Sequence, residues 1–228
     1  MLIKKLGMVI AAGGSGSRFS STENKLLVDY RGKPLMIHAL STFLPVLEPG
    51  NVVIAAGAAE IETMQNLVAK YLPGNNLHWV LGGATRLASV ANAIAALPGD
   101  LELVAIHDAA RPLATVKLLT ELCESARIHG GAIPGSTPVD TIKKVDKNGM
   151  IVENLVRSDL MAVATPQVFQ YRQYCQALQQ LPGELLNGQT ESKLITDDAA
   201  LFLLNGGKVK VVFSSEPNNK ITLPEDIA

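Results

Sequence analysis

Cysteine is scarce in this sequence, which has only Cys123 and Cys175 among its 228 residues. No Cys-x-x-Cys pair and no cysteine–histidine pattern occurs, which excludes a disulfide scaffold and a zinc site of the usual spacing. Both cysteines fall in stretches with helical periodicity, so we interpret them as buried free thiols. Such thiols are typical of proteins from a reducing compartment.

The sequence also lacks an excess of charge and a long apolar run. Its formal net charge of −1 at pH 7 gives no sign of a nucleic-acid footprint or a polybasic membrane anchor. No apolar stretch approaches the roughly 20 residues that cross a bilayer, and residues 1–5 lead directly into a predicted strand. We therefore expect a cytoplasmic protein without nucleic-acid or membrane partners, in which a few placed cations hold any phosphate.

The composition does provide for a substantial core, because 47% of the residues are hydrophobic and 18% are charged. Short apolar strands alternate with amphipathic helices, which predicts an α/β fold with a mostly parallel sheet and helices on both faces. The predicted strands are Gly7–Ala12, Val52–Ala56, Leu77–Leu81, Leu103–Ile106, Gly131–Pro134 and Val209–Phe213. The predicted helices are Pro34–Leu44, Ile61–Tyr71, Leu87–Leu97, Val116–Ile128, Tyr171–Leu181 and Asp197–Leu204.

One stretch breaks this alternation. Residues 141–145 and 151–155 have strand character and flank Asp146-Lys147-Asn148-Gly149, in which Asn-Gly is a strong hairpin signal. A two-stranded ribbon is not stable alone in water. The hairpin must therefore either lie on its own domain or reach across to a partner subunit.

The most informative segment is the glycine-rich loop that follows the first strand. It reads Ala11-Ala12-Gly13-Gly14-Ser15-Gly16-Ser17-Arg18, with Lys25 shortly after it. Backbone N–H groups of such a loop bind anions, and a helix N-terminus beyond it adds positive potential. With two cations at the same place, the pattern predicts a polyphosphate site. The alternative, a flexible surface turn, does not explain the arginine and the lysine.

Two common phosphate loops do not fit this segment. A Walker A loop requires Gly-Lys-Ser or Gly-Lys-Thr, and neither occurs in the sequence. A dinucleotide fingerprint requires a small residue at the position that Phe19 occupies, and an acidic residue about 20 positions on, where none is found. The loop therefore belongs to another class of phosphate site.

Two further clusters follow predicted strands, at the edge where α/β sheets bind ligands. The first, Gly82-Gly83-Ala84-Thr85-Arg86-Leu87-Ala88-Ser89, is a candidate ligand turn or a plain β–α turn with a surface arginine. The second is His107-Asp108-Ala109-Ala110-Arg111-Pro112. Its aspartate is suited to a divalent cation, a ribose or a nearby arginine, and the two alanines leave room for a ligand. We interpret His107 as a core histidine.

The remaining candidates lie on the hairpin and near the C-terminus. The hairpin brings Asp140 and Thr141 near Arg157, either as a binding site or as a structural cap and ion pair. Lys220 precedes Pro224-Glu225-Asp226, a helix start, and is suited to phosphate contact or to a solvated surface.

In their order along the chain, these segments resemble the 2-C-methyl-D-erythritol 4-phosphate cytidylyltransferase family of isoprenoid biosynthesis. The likeness runs from Ala11 to Asp226 and includes Thr165-Pro166-Gln167 and Thr196-Asp197-Asp198. It implies a three-layer Rossmann-like nucleotidyltransferase fold with a protruding β-hairpin arm. The whole chain, 1–228, would form a single domain, and the arm, at about 138–158, would serve in dimerisation. The glycine loop is one residue longer than the family's usual A-A-G-x-G-x-R.

The resemblance implies that CTP reacts with methylerythritol phosphate, a polyol phosphate, to give a CDP-alcohol and pyrophosphate, with Mg²⁺ as cofactor. The attacking monoester is largely dianionic near pH 7, because its second pKa is about 6, so no general base is needed. Thr141 and Arg157 would act in the neighbouring subunit's site. The implied catalytic residues are Arg18, Lys25, Arg157 and Lys220. The implied CTP-binding residues are Ala11, Ala12, Gly13, Gly14, Gly16, Gly82, Arg86, Ser89, Asp108 and Ala109. The implied substrate-binding residues are Arg111, Asp140, Thr141 and Thr165, and Asp108 is also the candidate metal ligand.

Three alternatives remain open at this point. A ribitol-5-phosphate cytidylyltransferase shares much of the pattern, and a sugar-1-phosphate nucleotidyltransferase would use another base. The third is a non-catalytic nucleotide-binding protein, which would have no use for Arg18 and Lys25 together. The second alanine of His107-Asp108-Ala109-Ala110-Arg111 favours the methylerythritol enzyme.

Overall fold

The computed structural model describes residues 2–14, 19, 24–75 and 77–227. Its strands are β1 (Leu6–Ala12), β2 (Asp29–Tyr30), β3 (Lys33–Pro34), β4 (Val52–Ala56), β5 (His78–Leu81), β6 (Leu103–Asp108), β7 (Gly131–Ser136), β8 (Lys143–Val145), β9 (Ile151–Asn154), β10 (Ala162–Val163), β11 (Gln167–Gln170) and β12 (Val209–Phe213). Its α-helices are α1 (Leu35–Phe43), α2 (Ile61–Tyr71), α3 (Arg86–Ala95), α4 (Val116–His129), α5 (Tyr171–Gln179), α6 (Gly183–Leu186) and α7 (Asp198–Leu204).

The central sheet is mostly parallel, as predicted. Its strands follow the order β7-β11-β6-β1-β4-β5, and β12 pairs with β7 in parallel. Strand β11 was not predicted; it runs antiparallel between β6 and β7. Strand β10 also pairs antiparallel with β7. The segment 162–170 contains no dipeptide typical of a β-hairpin turn. Its sequence therefore did not predict two strands that pair with the central sheet.

The sheet is covered on both faces because its strand residues alternate between two apolar layers. Met8 and Ile10 of β1 pack with α1, α2 and α4, whereas Val9 packs with α3, α5 and α7. Strand β6 divides in the same way, with Ala105 on the first face and Ile106 on the second. A continuous apolar run is what a parallel strand buried on both faces requires. This three-layer α/β architecture confirms the predicted fold class.

Local signals explain why the helices begin where they do. The hydroxyls of Thr85 and Thr115 accept from the N–H groups of Ala88 and Leu118, which caps α3 and α4. Helix α4 ends at Gly130, whose φ of 97° suits a residue without a Cβ. Among the described residues, no helix has the length and apolar character needed to cross a membrane.

The two thiols differ in burial. Cys123 in α4 is buried and free, and burial raises its pKa to about 12. Cys175 in α5 is also free but only half-buried, so the interpretation of both as buried thiols is right for the first alone. Burial also raises the pKa of Cys175. Both thiols are therefore poorly ionised near neutral pH.

The predicted hairpin is confirmed, and it forms a sheet of its own. Strands β8 and β9 pair antiparallel, with Lys143 opposite Asn154. The Asp146 carboxylate accepts from the N–H groups of Asn148 and Met150, and Gly149 has a φ of 81° in the turn. Every residue of both strands is exposed. We call residues 138–158 the arm.

The register of the sheet determines where the candidate residues meet. Ala11 lies opposite Asp108, and Ala12 lies opposite Ala56, which in turn pairs with Leu81. The carboxyl ends of β1, β4, β5 and β6 therefore lie along one edge. The glycine loop, the 82–89 turn and the 107–112 segment all leave the sheet at that edge, where open α/β sheets bind their ligands.

Candidate active site at the carboxyl edge of the sheet

A cavity of about 450 Å³ opens at this edge. Its walls come from the glycine loop, the turn before α3, the end of β6 and the segment around residue 220. A volume of this size suits a small organic ligand. The residues that line it are Ala11, Gly13, Gly14, Lys25, Leu26, Gly83, Ala84, Thr85, Arg86, Ser89, Asp108, Ala110, Glu191, Lys220 and Thr222.

Asp108 is the centre of a cation cluster on the cavity floor. Its Oδ2 lies 2.9 Å from Lys220 Nζ and 3.6 Å from Arg111 Nε, and its Oδ1 lies 3.3 Å from Arg86 Nε. Burial alone would raise the pKa of this carboxyl, but the charges of Arg86, Lys220 and Arg111 outweigh burial and hold the pKa well below its usual range. Asp108 is therefore a permanent anion that fixes three cations. We call these four residues the Asp108 cluster.

Arg86 also reaches a second buried carboxylate. Its Nη2 lies 2.7 Å from Asp198 Oδ2, and the Tyr174 hydroxyl donates to Asp198 Oδ1 at 2.7 Å. The charge of Asp198 raises the pKa of Arg86 against the opposing effect of burial, and Asp108 adds to that rise. Burial and the charge of Asp198 raise the pKa of Tyr174, which remains a neutral donor.

His107 is a core histidine, as interpreted from the sequence. It is fully buried, and burial lowers its pKa to about 4 against the charge of Asp108. Its Nε2 lies 3.2 Å from the Arg111 carbonyl oxygen, which only accepts, so Nε2 carries the proton. Its Nδ1 then accepts from the Thr165 hydroxyl at 3.1 Å. The same hydroxyl accepts from the Asp108 N–H at 3.0 Å, so this neutral pair positions the backbone of Asp108.

The turn before α3 packs its backbone against Ser89, a buried residue of that helix. The Ser89 hydroxyl donates to the Thr85 carbonyl at 2.9 Å and accepts from the Gly83 N–H at 3.0 Å. A Cβ on Gly82 would lie 3.0 Å from Ser89 Oγ, and a Cβ on Gly13 would lie 3.8 Å from the Gly82 Cα. The absence of a side chain at Gly82 therefore lets the turn approach the Ser89 hydroxyl closely, whereas a Cβ at Gly13 would make ordinary contacts.

Lys25 connects the glycine loop to the C-terminal segment. It begins a 3-10 helix, Lys25–Leu27, whose N-cap Asn24 accepts from the Leu26 N–H. Lys25 Nζ donates to the Ile221 carbonyl at 2.8 Å, and the Ile221 N–H donates to the Ala110 carbonyl at 2.9 Å. These bonds bring the ammonium groups of Lys25 and Lys220 to one cavity.

Arg111 faces away from this cavity and lines a second one, of about 500 Å³, that lies beside it. Its Nη1 donates to the Asn218 carbonyl at 2.7 Å, and Asn218 Nδ2 donates to the Thr165 carbonyl at 2.8 Å. Arg111 and Asp108 share the ion pair of 3.6 Å. The two cavities therefore have the Asp108 cluster between them.

The predicted site residues divide into five groups. Ala12, Gly82, Ala109 and Thr165 lie next to the first cavity without lining it, and Arg111 lines the second. Asp140, Thr141 and Arg157 are exposed on the arm and line neither. Gly16 and Arg18 lie outside the described residues. Those that line the first cavity are Ala11, Gly13, Gly14, Lys25, Arg86, Ser89, Asp108 and Lys220.

Sequence reasoning missed several residues of this site. Tyr174 lies in no segment that the sequence singled out, and Asp198 belongs to a family-like segment that was given no role. The packing of α5 and α7 brings Tyr174 to Asp198 and Asp198 to Arg86. Glu191 lines the cavity from a segment without periodicity. The sequence did contain an indication for Asp198. Asp197 and Asp198 stand together at the start of a helix, and because only one carboxylate is needed as the N-cap, the other is available for a different role.

The donors for a metal ion are few. Within the described ranges, no three His, Cys, Asp or Glu side chains are grouped closely enough to hold one. Asp108 is the only predicted ligand, and both of its oxygens already contact cations. Mg²⁺ is usually bound through one or two carboxylates together with substrate phosphates. The residues therefore fit a Mg²⁺ ion that is held mainly by a triphosphate.

Comparison with known proteins places the chain. The sequence model of the IspD family, described as 2-C-methyl-D-erythritol 4-phosphate cytidylyltransferase, matches residues 6–228. The chain belongs to this family. The 2-C-methyl-D-erythritol 4-phosphate cytidylyltransferase of Synechococcus sp. strain WH7803 is 34% identical over 236 residues, covering 96% of this chain and 95% of that relative.

Two further relatives extend the comparison. The bifunctional IspD/IspF enzyme of Clavibacter michiganensis subsp. michiganensis is 36% identical over 227 residues, which cover 98% of this chain but 53% of that relative. The chain thus spans about half the length of this bifunctional protein. The crystal structure of 4-diphosphocytidyl-2C-methyl-D-erythritol synthase from Anaerococcus prevotii superposes with a TM-score of 0.81 at 26% identity, covering 97% of this chain and 92% of that one.

Proposed function

We propose that this IspD-family chain transfers a cytidylyl group from CTP to 2-C-methyl-D-erythritol 4-phosphate. The products are 4-diphosphocytidyl-2-C-methyl-D-erythritol and pyrophosphate, an early step of the non-mevalonate route to isoprenoids. The observation that carries the proposal is the cavity at the carboxyl edge. It combines the glycine loop and Lys25 with Arg86 and Lys220, which both contact the Asp108 carboxylate. The chain also matches the family over residues 6–228.

In this reaction a phosphate oxygen of the polyol phosphate attacks the α-phosphorus of CTP. A bond forms between that oxygen and the phosphorus, the bond from the α-phosphorus to the bridging oxygen breaks, and pyrophosphate leaves with the electron pair. The attacking monoester is largely dianionic near pH 7, so no proton needs to be removed. Two anions must nevertheless approach each other, so the site's task is to neutralise charge and to orient the reactants.

Different cationic residues of the described chain are assigned to different parts of the two substrates. Lys25 and Lys220 line the cavity and have ammonium groups suited to phosphate oxygens. We assign Lys25 to the triphosphate and the leaving pyrophosphate, and Lys220 to the phosphate of the polyol. Arg86, Ser89 and the adjacent glycine turn are assigned to the cytosine and ribose, and Arg111 with Thr165 to the polyol. Arg18, outside the described residues, is assigned with Lys25.

Mg²⁺ completes this proposal as the cofactor. When bound, it supplies further charge neutralisation on the triphosphate. Asp108 is the chain's own carboxylate at the place where the triphosphate would enter, and the other metal ligands would come from substrate oxygens and water. The cations around Asp108 keep its carboxylate ionised near neutral pH, so no proton competes with a metal ion for it.

We further propose that the active unit is a homodimer in which the arm completes the neighbouring subunit's site. Val145, Ile151 and Val152 of the arm are more than half exposed, at 52%, 60% and 57%. An exposed apolar ribbon of two strands needs a covering surface to be stable. The register that pairs Lys143 with Asn154 also brings Thr141 and Arg157 to the same end of the ribbon. There they would meet the polyol phosphate of the partner's site.

The compartment is proposed from the cysteines. Cys123 and Cys175 are both unpaired, and disulfides are rare where glutathione and thioredoxin keep thiols reduced. We therefore assign the protein to the cytoplasm. Blocking of both thiols by a maleimide in cells lysed directly into denaturant, without prior reduction, would support that assignment, and a mass that shows either one oxidised would contradict it.

The test is a pyrophosphate-release assay with purified protein. We expect release with CTP and 2-C-methyl-D-erythritol 4-phosphate, little with UTP or GTP, and none after removal of Mg²⁺ by EDTA. Ribitol 5-phosphate serves as the matched acceptor control, because it offers the same phosphate on a different polyol. Faster release with ribitol 5-phosphate would overturn the substrate, and no release with any pair would overturn the enzymatic function.

A further inference from the structure

A buried polar chain leads from the second helical layer to the cavity. The Tyr174 hydroxyl donates to Asp198 Oδ1 at 2.7 Å, and Asp198 Oδ2 accepts from Arg86 Nη2, also at 2.7 Å. Arg86 Nε then donates to Asp108 Oδ1 at 3.3 Å. Tyr174 is completely buried and Asp198 is 1% exposed, whereas the Arg86 side chain is 33% exposed toward the cavity that it lines.

Asp198 is not needed to cap its own helix. The N-cap of α7 is Asp197, whose carboxylate accepts from the Ala200 N–H at 2.8 Å and from Gln167 Nε2 at 2.8 Å. The Gln167 Oε1 in turn accepts from the Ala199 N–H at 3.0 Å. The start of α7 is therefore secured by Asp197 and Gln167. The carboxylate of Asp198 is left to bind Arg86 and Tyr174 alone.

A buried carboxylate is costly unless charged and hydrogen-bonded partners compensate its desolvation. Both oxygens of Asp198 have such a partner, because one accepts a hydrogen bond from the Arg86 guanidinium and the other accepts one from the Tyr174 hydroxyl. Since Arg86 Nε and Nη2 belong to one rigid plane, contacts with Asp108 and Asp198 fix the orientation of that plane. Without Asp198, only the longer contact of 3.3 Å to Asp108 would remain to orient it.

We propose that Asp198 is a positioning residue for nucleotide binding, which holds Arg86 in the orientation that receives CTP and is itself oriented by Tyr174. The proposal rests on the proposed function, in which Arg86 contacts the nucleotide. The proposal gives a role to the Thr196-Asp197-Asp198 segment. None of these three residues lines the cavity or belongs to the Asp108 cluster. Asp198 contacts no substrate in this account, so its effect passes through Arg86.

The expected consequence is a change in nucleotide affinity more than in turnover. Asp198→Asn keeps the shape, but it replaces one of the two accepting oxygens with an N–H donor and removes the charge that fixes Arg86. Hydrogen bonds to charged groups contribute enough that we expect the Kd for CTP to rise about 10–100-fold. Because the cations assigned to the phosphates are untouched, kcat at saturating CTP should fall by less than about tenfold. Tyr174→Phe, which removes only the hydroxyl, should raise the Kd less.

The matched control is Asp197→Asn, the same chemical change at the preceding position. Asn can accept only one of the two hydrogen bonds that Asp197 accepts at the start of α7, and Asp197 contacts neither Arg86 nor Asp108 among the hydrogen bonds of the described residues. If Asp198→Asn lost CTP affinity only because α7 is weakened, Asp197→Asn should lose at least as much affinity. We therefore expect Asp197→Asn to leave the Kd for CTP within about twofold of the wild type.

The experiment is calorimetric titration of CTP with Mg²⁺ into wild type, Asp198→Asn, Tyr174→Phe and Asp197→Asn, with kcat and KM measured for each. A raised Kd in Asp198→Asn with an unchanged control supports the proposal. Equal Kd values in Asp198→Asn and wild type, or equal losses at both aspartates, overturn it. If Asp198→Asn does not fold, Tyr174→Phe decides in the same way. Failure of the wild type itself to bind CTP would instead refute the proposed function.

Discussion

Two ion pairs of nearly equal length show how differently this chain uses charge. Lys144 Nζ lies 2.9 Å from Glu153 Oε2 on the arm, and Arg86 Nη2 lies 2.7 Å from Asp198 Oδ2 beside the cavity. The arm residues are 63% and 50% exposed, whereas Asp198 is 1% exposed. An exposed pair contributes about 0–1 kcal/mol, whereas breaking a buried pair costs about 3–5 kcal/mol.

The same contrast applies to the two regions as wholes. The Asp108 cluster has its cations, its carboxylates and its supporting hydroxyls inside one chain, so its geometry is fixed without a partner. The arm has a regular hairpin but exposes its apolar side chains. One region therefore gathers cations around a cavity, whereas the other leaves apolar side chains exposed.

The largest effect is expected from Lys25, which lines the first cavity together with Gly13 and Gly14 of the glycine loop. Lys25→Ala should lower kcat by about 10²–10³, because one charge-stabilising donor is removed from the transition state. The Kd for CTP should change far less, since the remaining cations still bind the ground state. The measurement is steady-state pyrophosphate release together with calorimetric binding of CTP.

Lys33→Ala is the control for this prediction, because Lys33 is an exposed lysine on β3 that lines neither described cavity. It should have the wild-type kcat. A folded Lys25→Ala variant with turnover near that of the wild type would show that Lys25 does not act on the reacting phosphates.

The second prediction breaks the arm. Val152→Asp places a charge in the exposed apolar ribbon, and we expect it to shift the protein from dimer to monomer, because a buried unpaired charge disfavours association. Lys144→Ala, which only removes the exposed ion pair, should leave the dimer intact. Sedimentation velocity distinguishes the two states, and a wild type that sediments as a monomer would contradict the dimer.

The smallest effect is expected for the pH dependence of stability, through the buried residue His107. Below its ordinary pKa of 6.5, the imidazole of His107 is protonated in the unfolded chain, whereas burial keeps it neutral in the native state down to about pH 4. Acid therefore favours unfolding between these values, and the native state should lose roughly 3 kcal/mol across that window. His107→Gln should have a flatter dependence of the unfolding free energy on pH.

His129→Gln is the matched control, because His129 is exposed at the end of α4. Urea unfolding at intervals from pH 7 to pH 4 gives the slopes for all three proteins. We expect the control to have the wild-type slope. An equal slope in His107→Gln would mean that His107 is not held neutral in the native state.

Much of the fold could be predicted because its signals are local. Helix α2 and strand β4 have the predicted bounds, since periodicity and flanking turns determine them. The antiparallel strand β11 could not be predicted, because its partners β6 and β7 are chosen by packing rather than by the sequence of 167–170. The segment has only two apolar residues, Val168 and Phe169, between two glutamines, and so short a pattern fits a strand in either direction.

Those residues of the site that belong to short sequence motifs could be predicted. Lys25, Arg86, Asp108 and Lys220 all line one cavity, although they are far apart in sequence, because parallel strands end at one edge. Tyr174 and Asp198 were not predicted as site residues, since their roles arise only when two helices pack side by side. The arm is the opposite case, because its sequence predicts the hairpin but not what covers it.

The most direct test of the account is subunit complementation. Lys25→Ala disables the site within a subunit, and Arg157→Ala disables the arm that is assigned to its neighbour. When the two inactive variants are unfolded and refolded together, random pairing makes half of the dimers mixed, each with one intact site. The account predicts recovery of about a quarter of the wild-type pyrophosphate release. A mixture that stays as inactive as its separate components would contradict it.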